Sequence, residues 1–389
     1  MKKICLLLTL ALVSFAATAY TPNKIVVPNV GEYTVLKGDF HIHTVFSDAP
    51  VWPTTRVKEA QWEGLDFLTI TDHLDTRHQK MVKTGYFTNK CDRDTSYKIA
   101  KKAAKGSDLI VIHGGEITRS MPPGHFNCIF VKDNDAICAA AEKNDHDHVL
   151  AMDGGLREAR KQGAFLMWNH PHWCKHAPNE TIMWPAHKKF LKEGLMDAIE
   201  VYNSECGYSP EAHEWCLKHD LAIIGASDAH APFFTKIDYA GGAHRVVTLV
   251  FAKERSEAGI REAMDDRRTA ILAEGMVYGR EKELAPLFHA CVEVKNVKFS
   301  PKQVRYTLVN NSSIPIRLSK APGSDAYMYP RYIELPPHST FNAYTRLISK
   351  DNKQLPLEES MKEVDVNFYV ETFHIGADKP LPVSIKVKW

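Results

Sequence analysis

Histidine and carboxylate residues recur directly after short apolar segments of the chain, and their types and spacing suit metal binding. The first group is His41 and His43, followed by Asp48. Alternate side chains of a strand share a face, so both imidazoles are expected to point the same way. Similar residues follow four further apolar segments, which scattered core histidines would not do. The candidate ligands are His41, His43, Asp48, His73, Glu116, His125, His170, Asp228 and His230.

The number and type of these residues predict two to three divalent metal ions. A catalytic metal usually takes about three protein ligands and keeps one position open, so this set suits three ions with one bridging carboxylate. Mixed imidazole and carboxylate ligands favour Zn, Mn or Fe(II) over calcium. With three carboxylates and one hydroxide, three such ions leave a net charge of about +2, which favours an anionic substrate. Adjacent metal ions are typical of phosphoryl displacement.

Strands that alternate with helices must position these residues. From Gly38 to about Ile271, apolar segments alternate with segments of helical periodicity, which indicates an α/β domain with a mainly parallel sheet. The predicted strands are Leu36–Ile42, Phe67–Thr71, Leu109–Gly114, Phe126–Val131, Ala164–Trp168, Ala198–Tyr202, Leu221–Gly225 and Val246–Phe251. This many units in roughly 240 residues suggests a barrel, whose strand ends would bring the ligands to one face.

The chain changes character after about Ala285. Helical periodicity fades, and short strand-like segments are separated by turn residues such as those at 310–313 and 336–337. These features predict a β-sandwich of roughly 100 residues. The expected domains are therefore a barrel at 20–284 and a β-sandwich at 285–389, preceded by a leader at 1–19.

Residues 1–19 have the pattern of a cleavable signal peptide. Lys2 and Lys3 precede an apolar segment, and residues 17–19 read A-T-A, an A-x-A cleavage site. The apolar segment is short for a membrane span. We therefore expect a periplasmic or secreted protein without a transmembrane anchor. The net charge of +2 does not indicate a nucleic-acid-binding surface, so no nucleic acid is expected as a partner.

The motifs HIH (41–43), TDH (71–73), GGE (114–116), GHFN (124–127), NHP (169–171) and SDAH (227–230) occur in the order of a known superfamily. From about Lys37 to Ala273, the chain resembles the polymerase-and-histidinol-phosphatase (PHP) metal phosphoesterases. The resemblance implies a distorted (β/α)7 barrel. It also implies three ligand sets: His41, His43, Glu116 and Asp228 for the first ion, Glu116, His125 and His170 for the second, and Asp48, His73 and His230 for the third.

A narrower resemblance concerns exported PHP phosphodiesterases with a C-terminal β-domain. It rests on VWPTTRVKEA (51–60), EITRSMPPGHFN (116–127), WNHPHW (168–173) and PEAHEWC (210–216). It implies activity on phosphodiesters, including organophosphate diesters. The chain departs from that pattern at Asp72 and Asp75, where glutamates are expected, and at His172, where glycine is more usual.

Three further residues are candidates for catalysis. Arg119 follows Glu116 by three positions and could bind phosphate oxygens with its guanidinium fork; a salt bridge within the loop is an equal alternative. His172 and Asp72 could each pass a proton to the leaving group. Each could equally support a metal ligand through a hydrogen bond.

We therefore predict an exported metal-dependent phosphoric ester hydrolase that uses a metal-bound hydroxide at a trinuclear site on a small phosphate ester. A diester is favoured over a monoester by the narrower resemblance alone. The alternatives are a phosphomonoesterase of the same superfamily and a non-catalytic metal-containing binding module. The C-terminal β-domain is a candidate for docking on the barrel or on an envelope partner.

Overall fold

The computed structural model describes residues 24–75, 93–173, 180–322, 326–349, 351 and 353–389, and the predicted signal peptide lies outside these ranges. The strands of the N-terminal region are β1 Thr34–Asp39, β2 Phe67–Ile70, β3 Ile110–Thr118, β4 His125–Ile129, β5 Phe165–Trp168, β6 Ala198–Asn203, β7 Gly207–Tyr208, β8 Ala222–Ala226, β9 Val247–Ala252, β10 Thr269–Ala273 and β11 Met276–Gly279. The helices are α1 Pro53–Glu63, α2 Thr95–Ala103, α3 Asn134–Glu142, α4 His148–Lys161, α5 Pro185–Lys192, α6 Pro210–His219, α7 Glu257–Asp265 and α8 Glu281–Cys291.

The N-terminal sheet is mixed and strongly curved. Its strands run in the order β10-β9-β1-β2-β3-β4-β5-β6, and β8 also pairs with β6. The pairs β1–β2, β2–β3, β5–β6 and β6–β8 are parallel, as predicted. Strand β4 is antiparallel to both β3 and β5, because a tight connection folds β4 back along β3.

Strand β8 approaches β9 and β10 without a backbone ladder to either strand in the described residues. Side-chain hydroxyl groups join them instead: Thr248 Oγ1 donates to the carbonyl of Gly225 at 2.7 Å, and Thr269 Oγ1 accepts from the amide of Ile223 at 3.2 Å. A Cβ on Gly225 would lie 2.4 Å from a methyl carbon of Ile271, so only glycine permits this approach. The α/β class is confirmed, but an exact (β/α)7 barrel is not.

The local sequence explains the ends of several elements. Strands β2, β5, β6 and β8 are buried along their whole length, as expected of apolar segments covered on both faces. Helix α4 begins at His148, because Asp147 accepts hydrogen bonds from the amides of Val149 and Leu150 and caps the helix. Strands β10 and β11 and helix α8 were not predicted.

The C-terminal region consists of two packed sheets. Its strands are β12 Val292–Ser300, β13 Gln303–Asn310, β14 Ile316–Lys320, β15 Tyr327–Met328, β16 Tyr332–Leu335, β17 Thr340–Ile348, β18 Gln354–Leu355, β19 Glu363–His374 and β20 Pro380–Lys388. One sheet has the order β12-β13-β17-β15, with β18 on β17. The other contains β16-β14-β19, with β20 on β19. Burial alternates along β20, as in a strand with one face toward a core.

The two regions share one sheet and one core. Strand β19 pairs in parallel with β11, with Val277 opposite Phe373 and Tyr278 opposite His374. Helix α8 leads from β11 to β12 and contains residue 285, where we expected the second domain to begin. None of the helices that the structure describes is long and apolar enough to cross a membrane.

Candidate metal centre

The nine predicted ligands meet at one end of the N-terminal sheet. His41 and His43 follow β1, His73 follows β2, and His170 follows β5, while Asp228 and His230 follow β8. Glu116 lies inside β3 and His125 begins β4, so these two come from strand interiors rather than strand ends. Four overlapping groups with ligand atoms within 4.8 Å of one another contain all nine residues.

The first group of donor atoms has the spacing of a tetrahedral metal site. His41 Nε2 and His43 Nε2 lie 3.1 Å apart, and Asp228 Oδ1 lies 3.2 Å from the former and 3.0 Å from the latter. Glu116 Oε2 lies 3.6 and 3.4 Å from the same two nitrogens. Ligand atoms about 2.05 Å from a tetrahedral ion lie about 3.3 Å from one another. These four atoms therefore fit around a single divalent ion.

A second group surrounds the other oxygen of Glu116. Glu116 Oε1 lies 3.0 Å from His125 Nδ1 and 3.8 Å from His170 Nε2. His170 Nε2 also lies 3.7 Å from Asp228 Oδ2. The two oxygens of Glu116 thus face two different sets of potential ligands, which is the arrangement expected of a bridging carboxylate.

A third group lies nearer the solvent. Asp48 Oδ1 lies 3.4 Å from His73 Nε2 and 3.2 Å from His230 Nε2. The side chains of Asp48 and His230 are 29% and 38% exposed, whereas those of His41, His43 and Glu116 are inaccessible. A ligand that enters from solvent would therefore meet this third group first.

Unsatisfied polar atoms support cation binding at this centre. Glu116 Oε2 and His125 Nδ1 are buried without a hydrogen-bond partner in the described part of the chain, although charged neighbours lie close. Buried polar atoms are rarely left unsatisfied in folded proteins. An ion in the first group would satisfy Glu116 Oε2 and an ion in the second would satisfy His125 Nδ1, so the residues present fit the metal chemistry that the sequence predicts.

Several side chains that the sequence analysis missed orient the ligands. Glu200 Oε1 lies 3.1 Å from His41 Nδ1, and its Oε2 accepts from the amide of His170 at 2.7 Å. Asn169 donates to Glu116 Oε1 at 2.9 Å. Hydrogen bonds of this kind fix the tautomer and direction of metal ligands. Glu200 had a recognisable signal, because it is a lone carboxylate within the apolar strand β6.

Arg56 connects two ligand-bearing loops. Its guanidinium is buried and donates to the carbonyl oxygens of His43 at 2.9 Å, Ala229 at 2.7 Å, His230 at 2.9 Å and Ala231 at 3.0 Å. The side chain lies on α1, within the 51–60 segment used for the narrower resemblance, but no role was predicted for it. It holds the loop after β1 against the loop after β8.

A buried ionic network lies beneath the same loops. Asp39 Oδ1 accepts from the amides of His41 at 3.2 Å and Ser227 at 3.1 Å, while Arg245 Nη1 lies 3.2 Å from Asp39 Oδ2. Arg245 also forms an ion pair with Glu63. Because both charges are buried, removal of Arg245 would leave the carboxylate of Asp39 without this cationic partner.

The carboxylates and imidazoles of the cluster shift one another's pKa values. Burial alone would raise the pKa of Glu116, but the imidazoles of His73, His125 and His41 hold it well below the usual range. Burial lowers the pKa of His73, yet Glu116 and Asp48 outweigh it and raise the pKa to about 10. Burial and His73 together lower the pKa of His43 to about 4. Metal ions would therefore compete with protons for these imidazoles.

Two ligands occupy unusual backbone conformations. His170 has φ of 27° and Asp228 has φ of 52°, both in the left-handed region that non-glycine residues rarely adopt. Such conformations cost about 1–3 kcal/mol and persist where the surroundings enforce them. At Asp228, the backbone amide donates to the carbonyl of His41 at 2.8 Å. The strained turns thus aim both side chains into the centre.

The three predicted catalytic residues differ in their position relative to the centre. Arg119 is nearly buried and lines the cavity over the centre together with His73 and His125. Its Nη2 lies 3.3 Å from Asp145, while its Nε is buried without a partner among the described residues. Arg119 therefore combines a position beside the predicted ligands with the salt bridge that we weighed as its alternative.

Asp72 and His172 have hydrogen bonds that suit support rather than proton transfer. Asp72 accepts from the amide and hydroxyl of Thr44 and from Ser47 Oγ, each at 2.7 Å, and so shapes the loop after His43. His172 is not brought into the cluster. Its Nδ1 lies 2.6 Å from Thr181 Oγ1 and its Nε2 lies 3.1 Å from the carbonyl of Tyr208. Both of its nitrogens are therefore engaged away from the ligands.

A cavity of about 570 Å³ opens over the cluster. Its lining includes Arg119, Asp48, His230 and Trp173, and Trp173 is 51% exposed. The Trp173 ring lies 5.8 Å from that of His170. The cavity therefore offers a polar floor with one cationic and one aromatic side chain on its walls.

The chain is similar to proteins of known structure. A two-domain protein from Bacteroides vulgatus that contains a predicted PHP-like metal-dependent phosphoesterase shares 38% sequence identity, with a TM-score of 0.82, over 94% of this chain and 99% of that chain. A protein from Bifidobacterium adolescentis described as a metal-dependent phosphoesterase shares 16% identity, with a TM-score of 0.38, over 59% of this chain and 96% of that chain.

At the C-terminus, the DUF5001 family model, described as an Ig-like domain, matches residues 292–386. This confirms that a β-domain follows the N-terminal region. None of the curated proteins compared with the chain matches it. On the identity and coverage of the Bacteroides vulgatus protein, the chain belongs to the family of two-domain proteins with a PHP-like metal-dependent phosphoesterase.

Proposed function

We propose that this protein is an exported phosphodiesterase that hydrolyses small phosphate diesters with divalent metal ions held at three adjacent positions. The observation that carries the proposal is Glu116, whose two oxygens face separate sets of imidazole ligands. Together with Asp48, His73 and His230, these sets provide for three ions. Zn, Mn and Fe(II) all suit such ligands.

The ligand residues form three sets, one for each ion. His41, His43, Glu116 and Asp228 would hold the first ion, Glu116, His125 and His170 the second, and Asp48, His73 and His230 the third. Bound divalent ions supply positive charge that activates water and stabilises the oxygens of a phosphoryl group. Glu200, Asn169 and Arg56 keep the ligands in place before the substrate arrives.

The remaining polar groups of the cavity position the ester. Arg119 carries a permanent charge beside His73 and His125 and is placed to hold a non-bridging phosphate oxygen through its guanidinium. Three divalent ions would carry more positive charge than the three ligand carboxylates and one hydroxide neutralise. The excess positive charge would favour an anionic phosphate over a neutral substrate. The buried floor limits access of bulk water to the ligand atoms.

A diester is supported by the walls of the cavity as well as by the narrower sequence resemblance. A diester has a second ester group that a monoester lacks, and that group needs a surface to contact. Trp173 is half exposed on the cavity wall and provides apolar area for such a group. The net positive charge of the loaded site, taken alone, would favour the more highly charged monoester, so the two substrates must be compared directly.

The test compares matched 4-nitrophenyl substrates. Protein purified without chelator and reconstituted with Mn or Zn is assayed on 4-nitrophenyl phosphate and on its methyl diester, with kcat/KM as the readout. We expect a clear preference for the diester and loss of activity after chelation. A monoester preference would replace the diester assignment, and no activity on either ester would favour a metal-containing binding module. Fractionation of cells and sequencing of the mature N-terminus test export.

A further inference from the structure

A second cavity of about 720 Å³ lies beside the cavity over the metal centre. Glu205 and His230 line both cavities, so the two spaces meet at these side chains. The opposite wall consists of Ser313, Pro315 and Pro337, which lie in the Ig-like domain. A substrate bound at the centre can therefore extend toward the C-terminal domain.

The wall formed by the Ig-like domain is held firmly in place. The amide of Ser313 donates to the carbonyl of Val26 at 2.8 Å, and its hydroxyl accepts from the amide of Val26 at 2.9 Å. At the turn between β10 and β11, Gly275 has φ of 76°, and a Cβ there would lie 3.0 Å from Pro315 Cγ. The cavity is therefore a fixed feature of the junction between the two regions.

The charges around this cavity are predominantly negative. Arg245 lies at its edge, but its guanidinium is engaged by Glu63 and Asp39. Lys236 is the other cation on the lining, and its Nζ lies 3.9 Å from Glu205 Oε1. The carboxylates on the lining are those of Glu205, Asp238 and Glu274. An additional anionic group on a substrate would therefore be repelled from this cavity.

The aromatic side chains on the described lining, Tyr202 and Phe233, offer little open surface to a cationic group, because they are 6% and 5% exposed. The ring of Phe233 is covered by Arg245, whose guanidinium carbon lies 3.4 Å from the ring centroid. Hydrogen-bond acceptors are available instead. His244 Nδ1 lies 2.7 Å from the carbonyl of Arg245 and must donate to it, which leaves Nε2 as an acceptor. Carboxylate oxygens and this nitrogen suit the hydroxyl groups of an alcohol.

We infer that this second cavity binds the second ester arm of the substrate, and that it selects an uncharged arm with several hydroxyl groups over a small or an anionic arm. The inference rests on the proposed phosphodiesterase function and adds the chemical class of the substrate. It also assigns the Ig-like domain a part in specificity, because Ser313 and Pro315 close the cavity. A site that hydrogen-bonds substrate hydroxyls rejects analogues that lack them.

The test uses three 4-nitrophenyl phosphodiesters whose second arm is methyl, glyceryl or glyceryl phosphate. For the metal-loaded wild type, we expect kcat/KM on the glyceryl ester to exceed that on the other two by about tenfold or more. Ala243→Trp fills the cavity from the exposed loop between β8 and β9. It should lower the ratio of kcat/KM on the glyceryl ester to that on the methyl ester by about tenfold. Ala240→Trp, on the same loop but outside the lining, should leave the ratio unchanged.

A charge variant provides a second measurement that does not depend on the bulky substitution. Glu274→Gln removes one carboxylate from the lining and should raise kcat/KM on the glyceryl phosphate ester relative to the glyceryl ester. Three results would overturn the inference alone: equal rates of the wild type on all three esters, a preference of the wild type for the anionic arm, or unchanged substrate preferences in both Ala243→Trp and Glu274→Gln. Failure of the metal-loaded wild type to hydrolyse any of them would overturn the proposed function and this inference together.

Discussion

The N-terminal region and the Ig-like domain bury different kinds of side chain. In the former, charged residues such as Arg56, Glu116, Glu200 and Arg245 are almost inaccessible. Among the described residues of the Ig-like domain, the buried polar side chains are those of Asn310, Ser312, Thr345 and Thr372, none of which is charged. Buried charges are costly unless they are paired, whereas buried apolar surface stabilises a fold. The N-terminal region thus retains groups that serve chemistry, and the Ig-like domain is built for stability.

The shared sheet connects the N-terminal region to the Ig-like domain. Strand β19 continues the N-terminal sheet through β11, and apolar residues from both regions pack in one core cluster. The Ig-like domain therefore supports the sheet that carries the metal ligands. Substitutions in the N-terminal centre should therefore change activity with little change in stability. Substitutions in the core of the Ig-like domain should lower stability with little change in activity.

The largest effect is expected for Glu116→Ala. Because this carboxylate faces two groups of ligands, its loss should reduce kcat/KM by about 10³-fold or more and lower the metal content. Metal analysis and steady-state kinetics provide the measurement. Glu363→Ala, at a partly exposed glutamate of the Ig-like domain, is the matched control and should have no effect. Near-normal turnover of the variant with full metal occupancy would contradict the bridging role.

Phe368→Ala should produce the reverse pattern. Phe368 is fully buried in β19 and packs edge-to-face on Tyr329 at 5.1 Å. Its truncation should cost about 3–5 kcal/mol of stability, visible as a lower Tm, while metal content and kcat/KM at 25 °C stay near the wild-type values. Ser384→Ala on the exposed face of β20 is the control. A folded variant that has lost its metal would show that the two regions are not separable in this way.

Arg56→Lys should weaken the centre without removing a ligand. Lysine cannot donate to all the carbonyl oxygens that Arg56 contacts, because it lacks the planar fork of the guanidinium. We expect metal affinity to fall by about 10–100-fold, as for other residues that orient ligands. Arg157→Lys, on an exposed helix surface, is the control. Unchanged metal affinity in the Arg56 variant would confine this residue to a role in packing.

The sequence predicted the candidate ligands better than the elements that support them. The nine ligands were found because they follow apolar segments and fall into distinct motifs, and the structure brings all of them together. Arg56 and Arg245 escaped because their roles depend on carbonyl and carboxylate partners from distant loops. Those partners are brought close only by the fold.

The irregular parts of the fold were also beyond local pattern. The alternation of strands and helices identified the α/β class, but the reversal of β4 depends on the short connection at 119–124 rather than on periodicity. Strands β10 and β11 were missed because the hairpin lies where the helical pattern fades. The position of His172 next to Pro171 suggested a role at the centre, but its ring hydrogen-bonds to Thr181 and Tyr208, which lie 9 and 36 residues further along the chain.

The smallest expected effect concerns Glu283, at the junction of the two regions on α8. Its side chain is 8% exposed, its Oε2 is buried without a partner among the described residues, and Lys282 Nζ lies 3.5 Å from Oε1. Burial raises the pKa of Glu283 to about 7 from an ordinary value of 4.5, against the opposing charges of Lys282 and Arg280. The folded protein therefore holds this proton over a pH range in which the unfolded chain has released it. Stability from this group is full below pH 4.5 and is lost as the pH rises toward 7.

Glu283→Gln should remove that loss, because glutamine carries no charge to bury. The Tm of the variant should equal that of the wild type near pH 4.5 and exceed it at pH 8. The free energy of unfolding should then be higher by an amount on the order of 1 kcal/mol, after allowance for solvent screening. Glu281→Gln, an exposed residue of the same helical turn, is the control and should follow the wild-type curve. Thermal unfolding of all three proteins between pH 4.5 and 8 decides the point. A difference between Glu283→Gln and wild type that stays constant with pH would show that packing, not the buried charge, determines stability at this junction.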